Sequence, residues 1–478
     1  MGERRGGFGQ NKGGTGKGGP TGGGSGHGGG VRKPGPGRSG GGGSRRDGAP
    51  RGQPRTPKPG PSFDRPGFPD AWTVVIHQSA VNLVTVGHPW LFSGAIATLD
   101  APTGPDQEPG GLAIVLSPEG KPLALGLCNP QSQIAVRMIG RLESEEVPAR
   151  LPSLQSLVVA RMESASALRK ALGRPADDRT AYRLVNSEGD MLPGLTVDRL
   201  GDGASVIVSS AGGKKMLGFV ADWLMGRGGC SWVIARSAND AHPSEELPAG
   251  TMLSRGEVPE SLVVQHGEAR ISVDPSGGQK GGIYTDQLDN HRAVAALAKG
   301  RFVVDAYCHM GGFGLHAALA GARRVLAIDA SQKAIEAAQE AAQLTGVDGR
   351  FEAVCGDAVH LLGDLAAGVG AEMGRPGLII LDPPKFATRA DVVEDALRKY
   401  SHVNAAAMSA LEPGGYLVSC SCSGRIDRTT FLRMLGHAAR RAGRDLQLLE
   451  LRGPAADHPS SPVHAESHYL KVAICRVL

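Results

Sequence analysis

The sequence lacks the features of a membrane protein, a structural metal protein or a disulfide-linked protein. No stretch approaches the roughly 20 uninterrupted apolar residues of a membrane-spanning helix, and the first residues lack the apolar core of a secretory signal. The seven cysteines are scattered, without a CxxC pair or a Cys/His cluster at zinc spacing. We therefore expect no membrane span, no metal and no disulfide framework, which fits a reducing cytoplasm.

A basic excess is also missing from most of the chain. Residues 1–70 hold 13 Lys and Arg against 4 Asp and Glu, whereas the remaining residues hold 39 against 43. The same 70 residues are rich in glycine and poor in large apolar side chains, so they cannot bury enough surface to offset their ordering entropy. We predict a disordered tail that either holds nucleic-acid phosphates or only keeps the chain in solution.

Two segments with different patterns follow the tail. Residues 71–145 contain short β-branched runs separated by turns, which predicts a small β-rich domain. Residues 150–275 combine strand pairs with helical apolar spacing in LPSLQSLVVARMESASALRKALG and KKMLGFVADWLM. This second segment is typical of an α+β domain.

Residues 276–478 alternate apolar strand patterns with helix patterns. This alternation predicts an α/β domain, in which a parallel sheet carries helices on both faces. Ligands of such sheets bind at the carboxyl ends of the strands, so the residues at those ends are the candidates for function.

Acidic residues stand at the ends of the first three of these strands. Asp305 precedes a glycine-containing loop, Asp329 ends the second strand and Asp357 follows the third. The loop lacks the GxGxxG spacing of a dinucleotide site, and a carboxylate there would repel a pyrophosphate. Carboxylates suit an amine, a ribose and an adenine amino group, which together describe S-adenosylmethionine. Each acid could singly be a helix cap, but the series favours the cofactor.

The fourth strand ends in Asp382, and two prolines then fix the chain as it leaves the sheet. This rigid turn would hold Asp382 beside the methyl group of the cofactor. Lys385 could meet a phosphate and Phe386 could stack on a base. The alternative is a stiff loop with a charged surface.

The fifth strand, LVSCSCS, carries Cys420 and Cys422 on one side, because side chains in a strand alternate with a period of two. Cys420 is typical of a small buried side chain, whereas Cys422 lies at the strand exit, level with Asp382. A thiolate that adds to carbon 6 of a pyrimidine makes carbon 5 nucleophilic, and Asp382 would stabilise the charge that develops at ring N3. The pattern favours methylation of a pyrimidine carbon.

Residues 72–478 resemble the large-subunit ribosomal RNA methyltransferase I family, which consists of S-adenosylmethionine-dependent cytosine-5 methyltransferases. The matching stretches are GGQKGGIYTDQLDNHR, VVDAYCHMGGFGLHA, LDPPKFA, GGYLVSCSCSG and AADHP…HYLKVAICRV. GHPWLFSGAI is similar to the family's RNA-binding PUA domain, and YRLVNSEGDMLPGLTVDR to its central α+β domain. The resemblance implies a class I (Rossmann-like) methyltransferase domain over residues 276–478.

The resemblance also implies roles for single residues, with Cys422 as nucleophile and Asp382 as the acid beside it. The implied cofactor shell is Asp305, Tyr307, Gly311, Gly312, Phe313, Asp329, Ala330, Asp357, Ala358, Asp382 and Gln287. RNA contacts are expected from Lys280, Tyr284, Lys385, Phe386, His88 and Trp90. Lys385 stands where two-cysteine RNA cytosine methyltransferases place a second thiol, so a different group must help product release.

Two other functions stay open at this point. A guanine-nitrogen methyltransferase would use the same cofactor without needing Cys422, and an RNA-binding factor without catalysis would need only the PUA-like domain and the tail. The sequence thus predicts RNA as partner, most simply large-subunit ribosomal RNA, and no metal. It leaves the target nucleotide and a homodimer open.

Overall fold

The computed structural model describes residues 68–104, 107–143, 146–276, 283–387 and 390–478. The predicted tail, apart from residues 68–70, and the candidate RNA ligand Lys280 lie outside the described residues. Within the described part, no helix has the length and apolarity to cross a membrane. The same part shows no group of three or more His, Cys, Asp or Glu side chains placed to hold a metal ion.

Six strands form the first sheet, in the order β2-β6-β5-β4-β1-β3. Their ranges are β1 Trp72–Ile76, β2 Trp90–Phe92, β3 Ile96–Asp100, β4 Gly111–Leu116, β5 Pro122–Cys128 and β6 Ile134–Arg141. Helix α1 (Gln78–Thr85) lies where the β-branched composition predicts a strand. Its buried residues Ala80 and Val84 are one helical turn apart, so packing on one helix face overrides the β propensity of its valines.

Five strands form the second sheet, in the order β11-β10-β9-β8-β7. The elements of this segment are α2 Leu154–Ala171, β7 Ala181–Asn186, β8 Leu195–Leu200, β9 Gly203–Val208, α3 Ala211–Met225, β10 Val233–Ser237 and β11 Thr251–Arg255. Both helices lie where the spacing predicts them, and each begins after a serine, Ser153 or Ser210, whose side chain accepts a backbone N–H.

One apolar cluster joins the first two sheets. It contains Val75 and Ile114 from the first sheet together with Val197 and Val206 from the second, all of them buried. The two segments that the sequence predicts as separate domains therefore share a hydrophobic core.

Seven strands form the third sheet, in the order β16-β15-β14-β17-β18-β20-β19. The strands are β14 Phe302–Ala306, β15 Arg324–Asp329, β16 Phe351–Cys355, β17 Leu378–Leu381, β18 Tyr416–Ser421, β19 Leu446–Arg452 and β20 Lys471–Val477. The helices are α4 Leu288–Ala295, α5 Gly312–Leu319, α6 Gln332–Thr345, α7 Ala358–Ala366, α8 Val393–Ala410 and α9 Arg428–Arg441. A hairpin, β12 (Leu262–His266) and β13 (Ala269–Val273), precedes this sheet.

The predicted α/β domain is confirmed, with one departure from a parallel sheet. Strand β20 pairs antiparallel with both β18 and β19. The chain between β19 and β20 contains no crossover α-helix, and only such a crossover returns the chain for parallel pairing. The strand order reverses at β14, which lies between β15 and β17, so the switch point and its ligand crevice fall at the ends of β14 and β17.

The guanidinium of Arg169 ties α2 to the chain that precedes β20. Arg169 is 1% exposed and donates to both carboxylate oxygens of Asp190, at 2.5 and 2.8 Å, and to the Asp457 carbonyl at 2.7 Å. A buried charged group thereby joins α2 to the chain between β19 and β20.

Replacing Arg169 by methionine should destabilise the protein strongly, because Asp190 would stay buried without its cation. We expect a loss of about 3–5 kcal/mol in the free energy of unfolding, measured by denaturant titration. The matched control is Arg227→Met, which removes an ion pair with Glu163 whose side chains are 69% and 48% exposed. That variant should keep a denaturant midpoint close to that of the parent protein, because the pair is open to solvent. Equal losses of stability in both variants would contradict the structural role of Arg169.

Candidate active site

Asp305 is the last but one residue of β14, and its carboxylate is buried at the wall of a cavity. The side chain is 1% exposed, and Oδ2 accepts the Gly314 N–H at 2.8 Å. The other oxygen, Oδ1, has no hydrogen-bond partner among the described residues. Burial, with a smaller contribution from the nearby carboxylates of Asp382 and Asp329, raises the pKa of Asp305 to about 7. A buried carboxylate with a spare oxygen is suited to bind a cationic group.

The loop after β14 has a fixed, uncommon backbone. Tyr307 and His309 have φ angles of 63° and 50°, in the left-handed region that side chains rarely adopt. The His309 N–H donates to Asp329 Oδ2 at 3.0 Å, which holds the loop to the next strand end. A Cβ at Gly312 would come within 2.4 Å of the His291 ring. Packing inside the protein, and not only the approach of a ligand, therefore requires glycine here.

The second and third predicted acids differ in position. Asp329 lines the cavity, and its Oδ1 accepts the Ser331 N–H at 2.9 Å. Asp357 is exposed and does not line the cavity; its Oδ1 accepts the His360 N–H at 2.8 Å as the N-cap of α7. In this structure Asp357 is therefore a helix cap, which was the alternative considered for each of the three acids. It follows β16, the outermost strand of the sheet.

Asp382 follows β17 and is held by a buried amide. Its Oδ2 accepts a hydrogen bond from Gln287 Nε2 at 3.0 Å, and Gln287 Oε1 accepts one from Asn290 at 2.8 Å. Since both ends of the Gln287 amide are engaged, its N–H group points to Asp382. This contact fixes the carboxylate at the cavity wall.

The structure separates the two cysteines of the fifth strand. Cys420 is fully buried in β18, and burial, with Asp382 next in effect, raises the pKa of its thiol well above the ordinary value. Cys422 follows the end of β18, is half-buried and lines the cavity. The hydroxyls of Ser421 and Ser423, on either side of it, lie 3.1 and 3.2 Å from the Tyr400 hydroxyl. These two contacts with Tyr400 hold the backbone on either side of Cys422, whose side chain lines the cavity. Cys420 is unreactive because it is buried.

Lys471 is a buried cation that the sequence reasoning missed. It is 0% exposed, and Nζ donates to the carbonyls of Ser423 and Tyr469 at 2.7 and 2.8 Å. Burial lowers its pKa to about 8, and the neighbouring Cys422 opposes that shift, so the ammonium form still prevails at pH 7. The available signal was a lysine in the apolar run LKVAIC.

A hydrogen-bonded pair, Asp286 and Tyr469, lines the same cavity. The Tyr469 hydroxyl donates to Asp286 Oδ2 at 2.6 Å, and the Asp286 side chain is 3% exposed. Burial, with Asp286 next in effect, raises the pKa of Tyr469 well above its ordinary value. Sequence reasoning did not single out Tyr469, because its partner lies 183 positions away.

The cavity has a volume of about 1380 Å³, and all three sheets contribute to its wall. Phe92 comes from the first sheet and Ile207 from the second. The predicted residues that line it are Asp305, Tyr307, Gly312, Phe313, Asp329, Ala330, Asp382, Gln287, Tyr284, Lys385, Trp90 and Cys422. The thiol and the acidic strand ends therefore face one ligand space.

Five predicted residues lie outside this wall: Gly311, Asp357, Ala358, Phe386 and His88. Phe386 packs its ring on Tyr400, with 4.8 Å between centroids, so the core and not a base occupies that face. The ring centroids of His88 and His464 lie 5.5 Å apart, and His88 Nδ1 accepts the backbone N–H of Trp90. Ala358 is buried at the start of α7.

Trp90 is held in the contact between the first sheet and the rest of the chain. Its indole N–H donates to Glu188 Oε1 at 2.8 Å, a carboxylate shared with Arg137, and its ring lies 4.2 Å from that of His464. Phe92, which was not predicted, is 37% exposed and also lines the cavity. Phe92 is therefore the aromatic side chain of this strand that is more open to a base.

The strand-end residues fit S-adenosylmethionine on the chemistry of their donor and acceptor groups. The spare buried oxygen of Asp305 suits the amine of the cofactor. The carboxylate of Asp329 keeps acceptor capacity for ribose hydroxyls beyond its two backbone contacts. Tyr307 and Phe313 would cover the ligand from the loop side.

Comparison with known proteins agrees with this geometry. A family model for a PUA-like domain matches residues 74–141, and one for an S-adenosylmethionine-dependent methyltransferase matches residues 244–463. SMU.776, a methyltransferase whose crystal structure is complexed with SAH, shares the fold at a TM-score of 0.70 and 17% identity, over 84% of this chain and 99% of that one. The fold and the site define an S-adenosylmethionine-dependent methyltransferase of class I.

Two relatives narrow the class to a family. Ribosomal RNA large subunit methyltransferase I of Tolumonas auensis is 34% identical over 85% of this chain and 99% of the relative. The protein of the same name from Vibrio cholerae is 34% identical over 82% and 96%. The chain belongs to the ribosomal RNA large subunit methyltransferase I family.

Cofactor affinity should rise with pH through the titration of Asp305. The carboxyl is protonated below about pH 7, whereas a cationic amine pairs with the ionised form, so binding below pH 7 releases a proton. As the pH rises towards 7, we expect the Kd for S-adenosylmethionine to fall by up to about tenfold per pH unit, and above pH 7 we expect it to level off. Calorimetry measures this Kd. Asp305→Asn should bind more weakly and lose this slope; an unchanged slope would assign it to another group.

Lys471→Met should slow alkylation of Cys422 by iodoacetamide at pH 7, because the variant lacks the cation that favours the thiolate. We expect a decrease of about tenfold or more, measured by peptide-resolved mass spectrometry. The exposed Cys355 is the internal reference for reagent reactivity, and Lys471→Arg should retain part of the rate. The same Cys422-to-Cys355 ratio in all three proteins would argue against the role of Lys471.

Proposed function

We propose that this protein methylates carbon 5 of a cytosine in large-subunit ribosomal RNA through a covalent bond to Cys422. The observation that carries the proposal is the half-buried Cys422 thiol in the same cavity as Asp305, Asp329 and Asp382. The names of the relatives support large-subunit ribosomal RNA as the substrate. The match to a PUA-like domain supports RNA as the partner.

Carbon 5 of cytosine has no lone pair with which to attack a methyl group. Covalent addition of Cys422 to the ring makes this carbon nucleophilic. When bound, S-adenosylmethionine supplies an electrophilic methyl carbon. The sulfur of Cys422 adds to carbon 6 of the ring, and the electrons of the double bond make carbon 5 nucleophilic. The ammonium of Lys471 lies close enough to favour the thiolate that this step needs.

Asp382 acts at the opposite side of the ring in this scheme. A proton held by Asp382 would stabilise the negative charge that develops at N3 when sulfur adds. The hydrogen bond from Gln287 restricts where the Asp382 carboxylate can point. Lys385, exposed at the cavity, and Phe92 would contact phosphate and base of the flanking RNA.

A ribosomal RNA substrate would be met in the cytoplasm, which agrees with the compartment that the cysteine pattern suggests. The assignment of Lys280 to RNA binding and the homodimer stay predictions of the sequence. Neither is needed for the chemistry at Cys422.

Cys422→Ala should abolish formation of 5-methylcytosine, because the other thiol among the described residues of the cavity wall, Cys308, is buried, and burial raises its pKa well above the ordinary value. We expect a loss of at least about 10³-fold on an unmethylated large-subunit transcript, measured by nucleoside mass spectrometry. The control is Cys230→Ala, since Cys230 is buried in the second segment and lies outside the cavity wall.

The same experiment separates the alternatives. Methylguanine formed equally by the parent protein and by Cys422→Ala would favour the guanine-nitrogen methyltransferase. RNA binding without any S-adenosylmethionine binding would favour the factor without catalysis.

A further inference from the structure

Release of the product requires a base that the residues assigned so far do not supply. Once Cys422 is bonded to carbon 6 and carbon 5 carries the new methyl group, carbon 5 still holds its original hydrogen. The aromatic ring of 5-methylcytosine forms only when that hydrogen leaves as a proton and sulfur is expelled. The position that follows the two prolines is Lys385, so no second thiol stands there.

The carboxylates of the cavity wall are the candidates for this base. Within the described residues they are Asp240, Asp286, Asp305, Asp329, Asp382 and Glu466. Asp240 and Glu466 are exposed, and the three strand-end acids already face the cofactor or N3. Asp286 is the buried carboxylate that this assignment leaves over.

Asp286 is hydrogen-bonded to Tyr469, and both side chains line the cavity. The Tyr469 hydroxyl donates to Asp286 Oδ2 at 2.6 Å. The Tyr469 carbonyl shares the Lys471 ammonium with the Ser423 carbonyl, at 2.8 and 2.7 Å. One cation therefore holds the residue that bears the hydroxyl against the turn that carries Cys422.

We propose that Tyr469 and Asp286 together accept the carbon-5 proton and so release the methylated RNA from Cys422. This inference rests on the proposed function. The Tyr469 oxygen takes the proton from carbon 5 while its own proton passes to Asp286 Oδ2. The C–H electron pair forms the double bond between carbons 5 and 6, the carbon–sulfur bond breaks, and sulfur leaves as the Cys422 thiolate. Asp286 then loses its proton to water.

The pair works as a relay because neither member suffices alone. Burial holds the pKa of Tyr469 well above its ordinary value, so the free phenolate is scarce at neutral pH. Asp286 is buried, with Tyr469 hydrogen-bonded to its Oδ2. A phenol can pass its own proton to the carboxylate at the moment when it accepts another proton. The buried carboxylate is then the final acceptor, and no free phenolate has to form first.

The test uses Tyr469→Phe and Asp286→Asn with RNA and S-adenosylmethionine that carries a labelled methyl group. We expect release of 5-methylcytosine to fall by about 10²-fold or more. The labelled methyl group should accumulate in a protein–RNA complex that survives denaturing electrophoresis. The parent protein should show little of this complex, and Cys422→Ala none.

RNA that contains 5-fluorocytosine is the matched control for folding and attack. Fluorine cannot leave carbon 5 as a proton, so the base is not needed before the complex is trapped. The parent protein and both variants should then form the complex at rates within about threefold of one another, on the usual scatter of unrelated substitutions.

Three results would overturn the inference. Release by Tyr469→Phe at the parent rate would remove the need for the relay. Slow release without accumulated complex on ordinary RNA would assign the pair to an earlier step, and so would failure of both variants to trap fluorinated RNA. Methylation of cytosine by Cys422→Ala is a separate result, because it would refute the covalent mechanism itself.

Discussion

The ammonium of Lys471 joins the two chain segments that carry the reactive side chains. Its hydrogen bonds to the Ser423 and Tyr469 carbonyls connect the exit of β18 to the start of β20. Because β20 runs antiparallel to β18, its beginning lies at the edge where the parallel strands end. A buried cation at that edge both fixes the backbone around Cys422 and supplies positive charge, which apolar packing could not do.

The cavity depends on contacts between segments that the sequence presents as separate. The first and second sheets share one apolar cluster. Arg169 ties α2 to the chain before β20, and Arg183 of the second sheet lies in the cavity wall with its guanidinium paired to Asp198. These buried contacts together position the strand-end acids, the Cys422 thiol and the first sheet. A substitution that disturbs one sheet is therefore expected to disturb the packing of the others.

Local features of the sequence predict the element order of the third sheet and the acids at its strand ends. Asp305, Asp382 and Cys422 follow from such features, because each comes at or directly after a strand. Tyr469 and Lys471 do not, since their partners Asp286 and Ser423 are 183 and 48 positions away and local patterns carry no information on such contacts. Phe386 and Asp357 show the converse: a residue near a strand end can turn to the core or to solvent, depending on how its neighbours pack.

The fixed position of the first sheet bears on how RNA must behave. Trp90 is held by Glu188 and His464, and the sheet beneath it shares its core with the next one. A module anchored in this way cannot swing out to follow a folded helix, so the movement falls to the nucleic acid. The target base has to unstack and rotate out of its strand to enter the cavity. If ribosomal RNA is the substrate, as proposed above, we expect its unpaired stretches to be methylated most readily, because they have the least stacking to lose.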